Sequence, residues 1–133
     1  MTILLIFDSD ELEQLLAFAK QEFKFGSGGN SLKAKLESVW RQTGNKPAEL
    51  DSIVELPDSM LQVWHWFIEL NNARSSNGFG VNPLSYVEID AYFRLNQITP
   101  ETWEVSVIKK LDNIALEAYA EQVKQEQNKA KKK

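Results

Sequence analysis

Cysteine is absent from this sequence of 133 residues, and histidine occurs only once. Without cysteine the chain cannot form a disulfide framework, a thiolate metal site or a cysteine nucleophile. No apolar run approaches the ~20 residues that are needed to cross a bilayer. The opening segment, residues 1–7, has neither the basic leader nor the apolar length of a signal peptide. These absences predict a protein that works in a reducing cytoplasm and contains no membrane span.

Positive charge is scarce in most of the chain. Residues 121–133 contain five lysines and two glutamates, a surplus of +3. Because the net charge of the whole chain is −4, the first 120 residues have a net charge of −7. An acidic body repels phosphate backbones, which argues against nucleic-acid binding as the main task. Hydrophobic content of 43% and charged content of 26% lie in the ordinary range of globular proteins.

Helical periodicity runs through the chain and predicts an all-α fold, a small bundle of about five helices. We expect a single domain over residues 1–120: an N-terminal arm and helix at 1–25, a hinge at 26–30, and a helical core at 31–120. A flexible basic tail follows at 121–133. The apolar segment TILLIF (residues 2–7) lacks both periodicities, so it is either a buried strand or a strap between chains.

Capping signals mark three helix starts. Asp58 is predicted to cap the third helix, Ser85 and Glu88 form a capping box for the fourth, and Thr99 precedes an N1 proline for the fifth. The third helix contains LQVWHWFIEL, with a narrow polar seam at Gln62, His65, Glu69 and Asn72. Such a wide apolar face is typical of a core helix or of a helix that binds another protein.

Residues suited to catalysis or to cofactor binding are few. His65 lies one turn before Glu69 on the polar seam, where an i,i+4 surface pair is the ordinary interpretation. Glu88 and Asp90 are two residues apart on a helix, so they point in different directions. The GSGGN segment lacks the preceding strand and following lysine of a phosphate-binding loop. We therefore predict no catalytic, cofactor-binding or metal-binding residues, and a protein that is not an enzyme.

Asp112 is an acid on an apolar stripe of the fifth helix, together with Val105, Ile108 and Leu116. An unpaired carboxylate would be costly to bury there. Arg74 and Arg94 are the available cations, and we predict a structural ion pair between Arg74 and Asp112. The alternative is an Asp112 that lies exposed at the edge of the stripe.

Three aromatic residues are candidate contacts for a partner protein: Trp66, Phe79 and Trp103. Tryptophan is enriched at energetic hot spots of interfaces, and the glycines on both sides of Phe79 would let that ring project from its loop. The alternative is that these rings belong to the core, as aromatic stripes at helical spacing usually do. We expect residues 61–70 to be mainly the core helix, and partner contact to occur at the loop of residues 74–84.

A family resemblance is carried by residues in a defined order: Trp64, Phe67, Leu70, Arg74, a glycine-rich loop, Ser85, Glu88, Ile89, Tyr92, Leu95, Ile108, Leu111 and Asp112. In this order and spacing, over about residues 56–119, the chain resembles the tail assembly chaperones of long-tailed phages. The first 55 residues carry no matching motif.

The resemblance implies a small helical protein that acts in the host cytoplasm and is absent from the mature virion. Its expected partners are the tape measure protein, which it would bind and keep soluble, and the major tail tube protein, which it would help to recruit. The resemblance also implies a frameshift-extended form of the protein itself. Lys131, Lys132 and Lys133 are encoded by A-rich codons, and a slippery site is A-rich as well.

Physical reasoning agrees with a covering role, because a long helical client with apolar stripes aggregates unless those stripes are covered. Weak, repeated contacts would permit later displacement, which predicts self-association into a ring or a spiral. The structural alternative is a head–tail connector or another morphogenesis subunit that remains in the particle.

Overall fold

The computed structural model describes residues 9–24, 32–78 and 80–131. The α-helices in these ranges are α1 (Ser9–Lys24), α2 (Leu32–Thr43), α3 (Leu61–Asn72), α4 (Tyr86–Leu95) and α5 (Thr102–Lys131). Short 3₁₀ helices at Ala48–Ser52 and Asp58–Met60 lie between α2 and α3. The same ranges contain no β-strand, only one antiparallel bridge between Ser76 and Val81. The predicted all-α class is confirmed. The TILLIF segment and the predicted hinge lie outside the described residues.

Three helices build the core, because α1 and α3 both pack along α5. Five residues of α5 are buried at helical spacing: Val107, Ile108, Leu111, Asp112 and Ala115. On α3 the buried residues are Val63, Trp64, Trp66, Phe67 and Leu70. The four residues of the predicted polar seam on α3 are all exposed. None of the helices in the described part of the chain is long and apolar enough to span a membrane.

Aromatic rings join these three helices at one point. Phe23 of α1 lies edge-on to Phe67 of α3, with 5.9 Å between ring centroids, and edge-on to Tyr119 of α5 at 6.3 Å. Phe18 meets Trp64 in the same way at 5.0 Å. Edge-to-face pairs of this kind add stability beyond the area that they bury.

Helix starts agree with the sequence at α4 and differ at α3 and α5. Ser85 and Glu88 form both hydrogen bonds of the predicted capping box. Asp58 was wrongly predicted as a cap, because it begins a 3₁₀ helix after Pro57, and α3 then starts at Leu61 without a side-chain cap. The start of α5 at Thr99 was also wrong.

The segment before α5 is occupied by the turn that ends α4. Ile98 packs against the core, and its N–H donates to the Phe93 carbonyl (2.9 Å) within that turn. The helix therefore starts at Thr102. Glu104 supplies the N-terminal contact, since its carboxylate accepts from the Glu101 N–H at 2.8 Å.

Helix α2 lies at the periphery, and Leu32 is its one buried residue. The Leu32 N–H donates to both carboxylate oxygens of Glu22, at 3.3 and 3.2 Å, and Glu22 is itself buried on α1. A carboxylate at a helix N-terminus satisfies an orphan donor and complements the helix dipole. Gly44, with φ +75°, ends the helix, and its N–H donates to the Trp40 carbonyl.

The C-terminal part of α5 is longer than expected. The sequence predicts a flexible basic tail at 121–133, whereas the helix continues to Lys131, and every residue from 121 to 131 is exposed. This segment is rich in Glu, Gln, Lys and Ala, which are all good helix formers. Local propensity, rather than burial, accounts for the extension.

Tyr92 ties α4 to α3, because its hydroxyl donates to the Glu69 carboxylate at 2.8 Å. Burial, followed by the hydrogen bond and the charge of Glu69, raises the pKa of Tyr92 from 10.0 to about 12. Because the folded-state pKa is the higher one, the stability that this group contributes is complete below about pH 10 and is lost as the pH rises through about 12.

We therefore expect phenolate absorbance to show one tyrosine that ionises near pH 12, and this step to be missing in the Tyr92→Phe variant. If the absorbance of the Tyr92→Phe variant matched that of the wild-type protein above pH 11, the expectation would be contradicted.

Candidate partner-binding surface and its loop anchor

A buried ion pair lies beneath the loop that joins α3 to α4. Arg74 follows the end of α3, and its Nη2 lies 2.5 Å from Oδ1 of Asp112 on α5. The two side chains are 3% and 2% exposed. Neither of these two atoms makes a hydrogen bond to another group in the described part of the chain, so each relies on the opposite charge of the other. The structure thus brings together the two residues of the predicted pair, whereas Arg94 is exposed.

The remaining donors of Arg74 fix the base of the loop. Its Nε donates to Oδ1 of Asn71 at 3.0 Å, and its Nη1 donates to the carbonyl of Asn82 at 2.8 Å. The guanidinium also lies over the ring of Tyr119, 5.9 Å from the centroid. Arg74 therefore joins the end of α3, the far side of the loop and α5.

Two side chains of α5 hold the end of the loop at Leu84, which is itself 1% exposed. Oδ2 of Asp112 accepts from the Leu84 N–H at 3.1 Å, and Nζ of Lys109 donates to the Leu84 carbonyl at 2.7 Å. Residues three apart on a helix lie on one face, so Lys109 and Asp112 together bind both polar groups of one extended residue. Lys109 also lies over the ring of Tyr86, at 4.8 Å.

The loop between these anchors is a small hairpin, residues 75–82. Asn82 donates its N–H to the Ser75 carbonyl (3.0 Å) and its side-chain amide to the Ser75 hydroxyl (2.9 Å). Asn77 and Gly80 close the tip, since the Asn77 N–H donates to the Gly80 carbonyl at 3.0 Å. Gly78 adopts φ +86°, a conformation that suits glycine. The candidate contact Phe79 lies outside the described residues.

The other two candidate contacts take different positions. Trp66 is 7% exposed and packs edge-on against Phe93 of α4, with ring centroids 4.9 Å apart. It is therefore a core residue in this structure and offers little area to a partner, because it fills the space between α3 and α4. Trp103 is partly buried against the core, and its indole N–H donates to Glu101 at 2.6 Å.

Large apolar side chains are exposed on other helices instead. On α2, Val39 and Trp40 are 45% and 43% exposed. On α4, the exposed large apolar residues are Tyr86, Val87 and Leu95. Grouped apolar residues on a surface are typical of sites that bind proteins or ligands.

A second anchoring contact holds residues 53–56, which run along α1. The side-chain amide of Gln21 accepts from the Val54 N–H at 2.9 Å and donates to the Val54 carbonyl at 3.0 Å. Gln14 donates to the Glu55 carbonyl at 2.7 Å, and Lys33 of α2 pairs with the Glu55 carboxylate at 2.7 Å. The side-chain amide of Gln21 thus makes with Val54 the pair of hydrogen bonds that the backbone of a neighbouring strand would make.

His65 is exposed on the polar seam of α3. Over residues 9–24, 32–78 and 80–131, no group of three or more His, Asp or Glu side chains could hold a metal ion. The polar side chains that are buried, Arg74 and Asp112 foremost, bind backbone groups of the chain itself.

Comparison with known proteins gives one match. The family described as phage tail assembly chaperone matches residues 39–117, which is more than half of the chain. No curated protein and no solved structure matches. The match contains α3, the hairpin, α4 and the buried part of α5, so both residues of the ion pair lie within it. The match supports a role in tail assembly. The chain belongs to the phage tail assembly chaperone family.

Proposed function

We propose that this protein binds the tape measure protein, keeps it soluble before the tail is built, and helps to recruit tail tube subunits. The family match over residues 39–117 is the observation that carries this proposal. A tape measure protein is a long helical client, and apolar stripes on such a client aggregate in water unless they are covered. The same family likeness supports absence from the mature virion, which mass spectrometry of purified particles can check.

The contact surface that we propose has two parts. The first is the α2 face with the exposed residues Val39 and Trp40. This face suits an amphipathic helix of the client, because the apolar side of such a helix can pack against exposed apolar residues. The second is the hairpin at residues 75–82, in which Phe79 remains the candidate contact, with Trp103 on α5 as a further one. Because the Arg74 network already holds the base of the hairpin, binding there orders little additional chain, which lowers the entropic cost of association.

Co-expression with the tape measure protein tests the function. We expect the wild-type chain to bring most of the client into the soluble fraction and to co-purify with it. The variants Trp40→Ser and Phe79→Ser should each recover several-fold less soluble client, since truncating an aromatic hot-spot residue costs about 2 kcal/mol or more of binding. Soluble client is measured by quantitative blotting.

The matched control is Gln125→Ser, an exposed substitution on the part of α5 that extends beyond the core. It should leave the soluble yield unchanged, and far-UV circular dichroism should show that all variants remain folded. A client that stays insoluble with the wild-type protein, under conditions in which the chaperone itself is soluble, would remove the proposed function.

Self-association and a frameshift-extended form are part of the same proposal. Several weakly bound copies can cover a long client and still be displaced one by one. A ring or a spiral of copies would present many contact faces along the client. Intact-mass analysis of protein expressed from the native gene context shows whether an extended product is made.

A further inference from the structure

Helix α4 presents the most exposed large apolar residues in the described part of the chain. Val87, Leu95 and Tyr86 are 78%, 76% and 66% exposed, whereas the other four exposed large hydrophobic residues lie between 38% and 45%. The inner face of the same helix is well packed, with Ile89 2% and Phe93 3% exposed. Both faces of α4 are therefore apolar, and the core covers only one of them.

The outer face has an ordered pattern. Val87, Ala91 and Leu95 follow at spacings of four, so at about 100° per residue they form one stripe opposite Ile89 and Phe93. Asp90 and Arg94 lie together on one flank of this stripe and are both exposed. Neither of them belongs to any of the ion pairs found among the described residues.

We propose that this face binds the same face of a second copy of the chain, with the two α4 helices antiparallel about a two-fold axis at Ala91. In that register, a residue that lies a given number of positions before Ala91 is level with the residue the same number of positions after Ala91 on the other helix. Val87 of one copy then meets Leu95 of the other, about 6 Å from the axis on either side. Ala91 lies at the crossing, where a small side chain allows close approach.

The charges favour this occupant over another protein. In an antiparallel two-fold pair the same flanks of both helices face each other. Arg94 of one copy is therefore opposite Asp90 of the other, offset by about 3 Å along the helix, and the symmetric pair forms as well. The two Asp90 side chains are offset by the same ~3 Å, so two attractive pairs outweigh one repulsive pair, while the two Arg94 side chains are about 9 Å apart along the axis. A parallel two-fold pair would instead turn this flank toward the other flank of the second helix, where Asp90 would face Glu88 of the other copy at an offset of about 3 Å. The face is thus self-complementary in one orientation, as an isologous contact requires.

The contact names a surface for the self-association proposed above and rests on that proposal. Ten residues of helix bury little area, so the dimer should be weak and in exchange with monomer, as is usual for small interfaces. Pairs joined in this way can serve as the repeating unit of a ring or a spiral.

Disulfide trapping tests the register. Because the chain contains no cysteine, Ala91→Cys introduces the only thiol. Under mild oxidation we expect this variant to form a covalent dimer within minutes, whereas Gln125→Cys, exposed on α5, should form several-fold less. Equal dimer formation by both variants, or no dimer from Ala91→Cys, would overturn the proposed contact.

Charge exchange tests the orientation independently. Asp90→Arg and Arg94→Asp alone should each weaken the dimer roughly fivefold in sedimentation equilibrium, because like charges then meet twice. The double variant Asp90→Arg/Arg94→Asp should restore the wild-type dissociation constant, and a double variant as weak as the single ones would reject the antiparallel pairing. The solubility of the client in the presence of the Asp90→Arg variant separates the α4 contact from the proposed function. If this variant no longer dimerises but still keeps the client soluble, the proposed function stands without the dimer.

Discussion

Replacing Asp112 by alanine should lower the free energy of unfolding by about 3–5 kcal/mol, because it leaves the buried guanidinium of Arg74 without its counter-charge. The same substitution removes the acceptor for the Leu84 N–H, which is also buried. The two side chains are 97% and 98% removed from solvent, so water cannot replace the lost partner without opening the loop. Chemical denaturation followed by far-UV circular dichroism measures the loss.

Asp112→Asn separates charge from hydrogen bonding at this site. Asparagine keeps an oxygen that can accept from the Leu84 N–H, so this variant should lose only the part of the stability that depends on charge. A double-mutant cycle with Arg74→Met completes the test, and we expect a coupling free energy of about 1–3 kcal/mol between the two positions. Additive losses would show that the pair does not hold α5 to the loop.

A second ion pair in the same protein serves as the control. Lys33 and Glu55 approach to 2.7 Å, but their side chains are 49% and 66% exposed. Exposed pairs contribute little, because water and salt screen them. Glu55→Ala should therefore leave the unfolding midpoint almost unchanged, and a loss as large as that of Asp112→Ala would mean that burial does not explain the effect.

The sequence predicts the helices well, because their signals are local. Amphipathic spacing identified the exposed seam of α3, and the Ser85 capping box predicted where α4 begins. An acid on the apolar stripe of α5 indicates that Asp112 needs a cation, and the predicted partner, Arg74, is the one that the structure places beside it. These inferences need only periodicity and the cost of burying a charge.

Contacts that depend on tertiary position were not predictable in the same way. Lys109 is three residues before Asp112 on the apolar stripe, a spacing that could have indicated a shared partner, but the bound residue Leu84 is far away in sequence. Gln21 binds the backbone of Val54, and no local pattern distinguishes it from a surface glutamine. Helix starts at Leu61 and Thr102 were displaced by the 3₁₀ helix after Pro57 and by the turn that ends α4.

Two tryptophans show why exposure, and not residue type, decides which one can bind a partner. Trp66 and Trp40 both lie on apolar helix faces, yet Trp66 is 7% exposed and Trp40 is 43% exposed. Five residues of α3 are buried, whereas α2 has one, so the two helices differ in how much of their apolar surface the fold covers. Phe93 of α4 packs on Trp66 as part of that cover.

Trp66→Ala should therefore lower the free energy of unfolding by about 3–5 kcal/mol, since it leaves a cavity between α3 and α4. Trp40→Ala should change the unfolding midpoint little. The client should respond in the opposite way: near-normal soluble yield for Trp66→Ala wherever that variant remains folded, and a several-fold loss for Trp40→Ala. Far-UV circular dichroism measures the unfolding of both variants, because tryptophan fluorescence would change with the number of indoles. The soluble client is measured by quantitative blotting.

Trp66→Phe provides a milder form of the same test, because a ring still fills most of the space beside Phe93. It should retain more stability than Trp66→Ala and should keep the client soluble. If Trp66→Phe remained fully stable but lost the client, Trp66 would contact the client directly, and the partner would have to enter between α3 and α4. The Trp40→Ala result would still decide whether the exposed face of α2 takes part in binding, because the two sites are tested by separate variants.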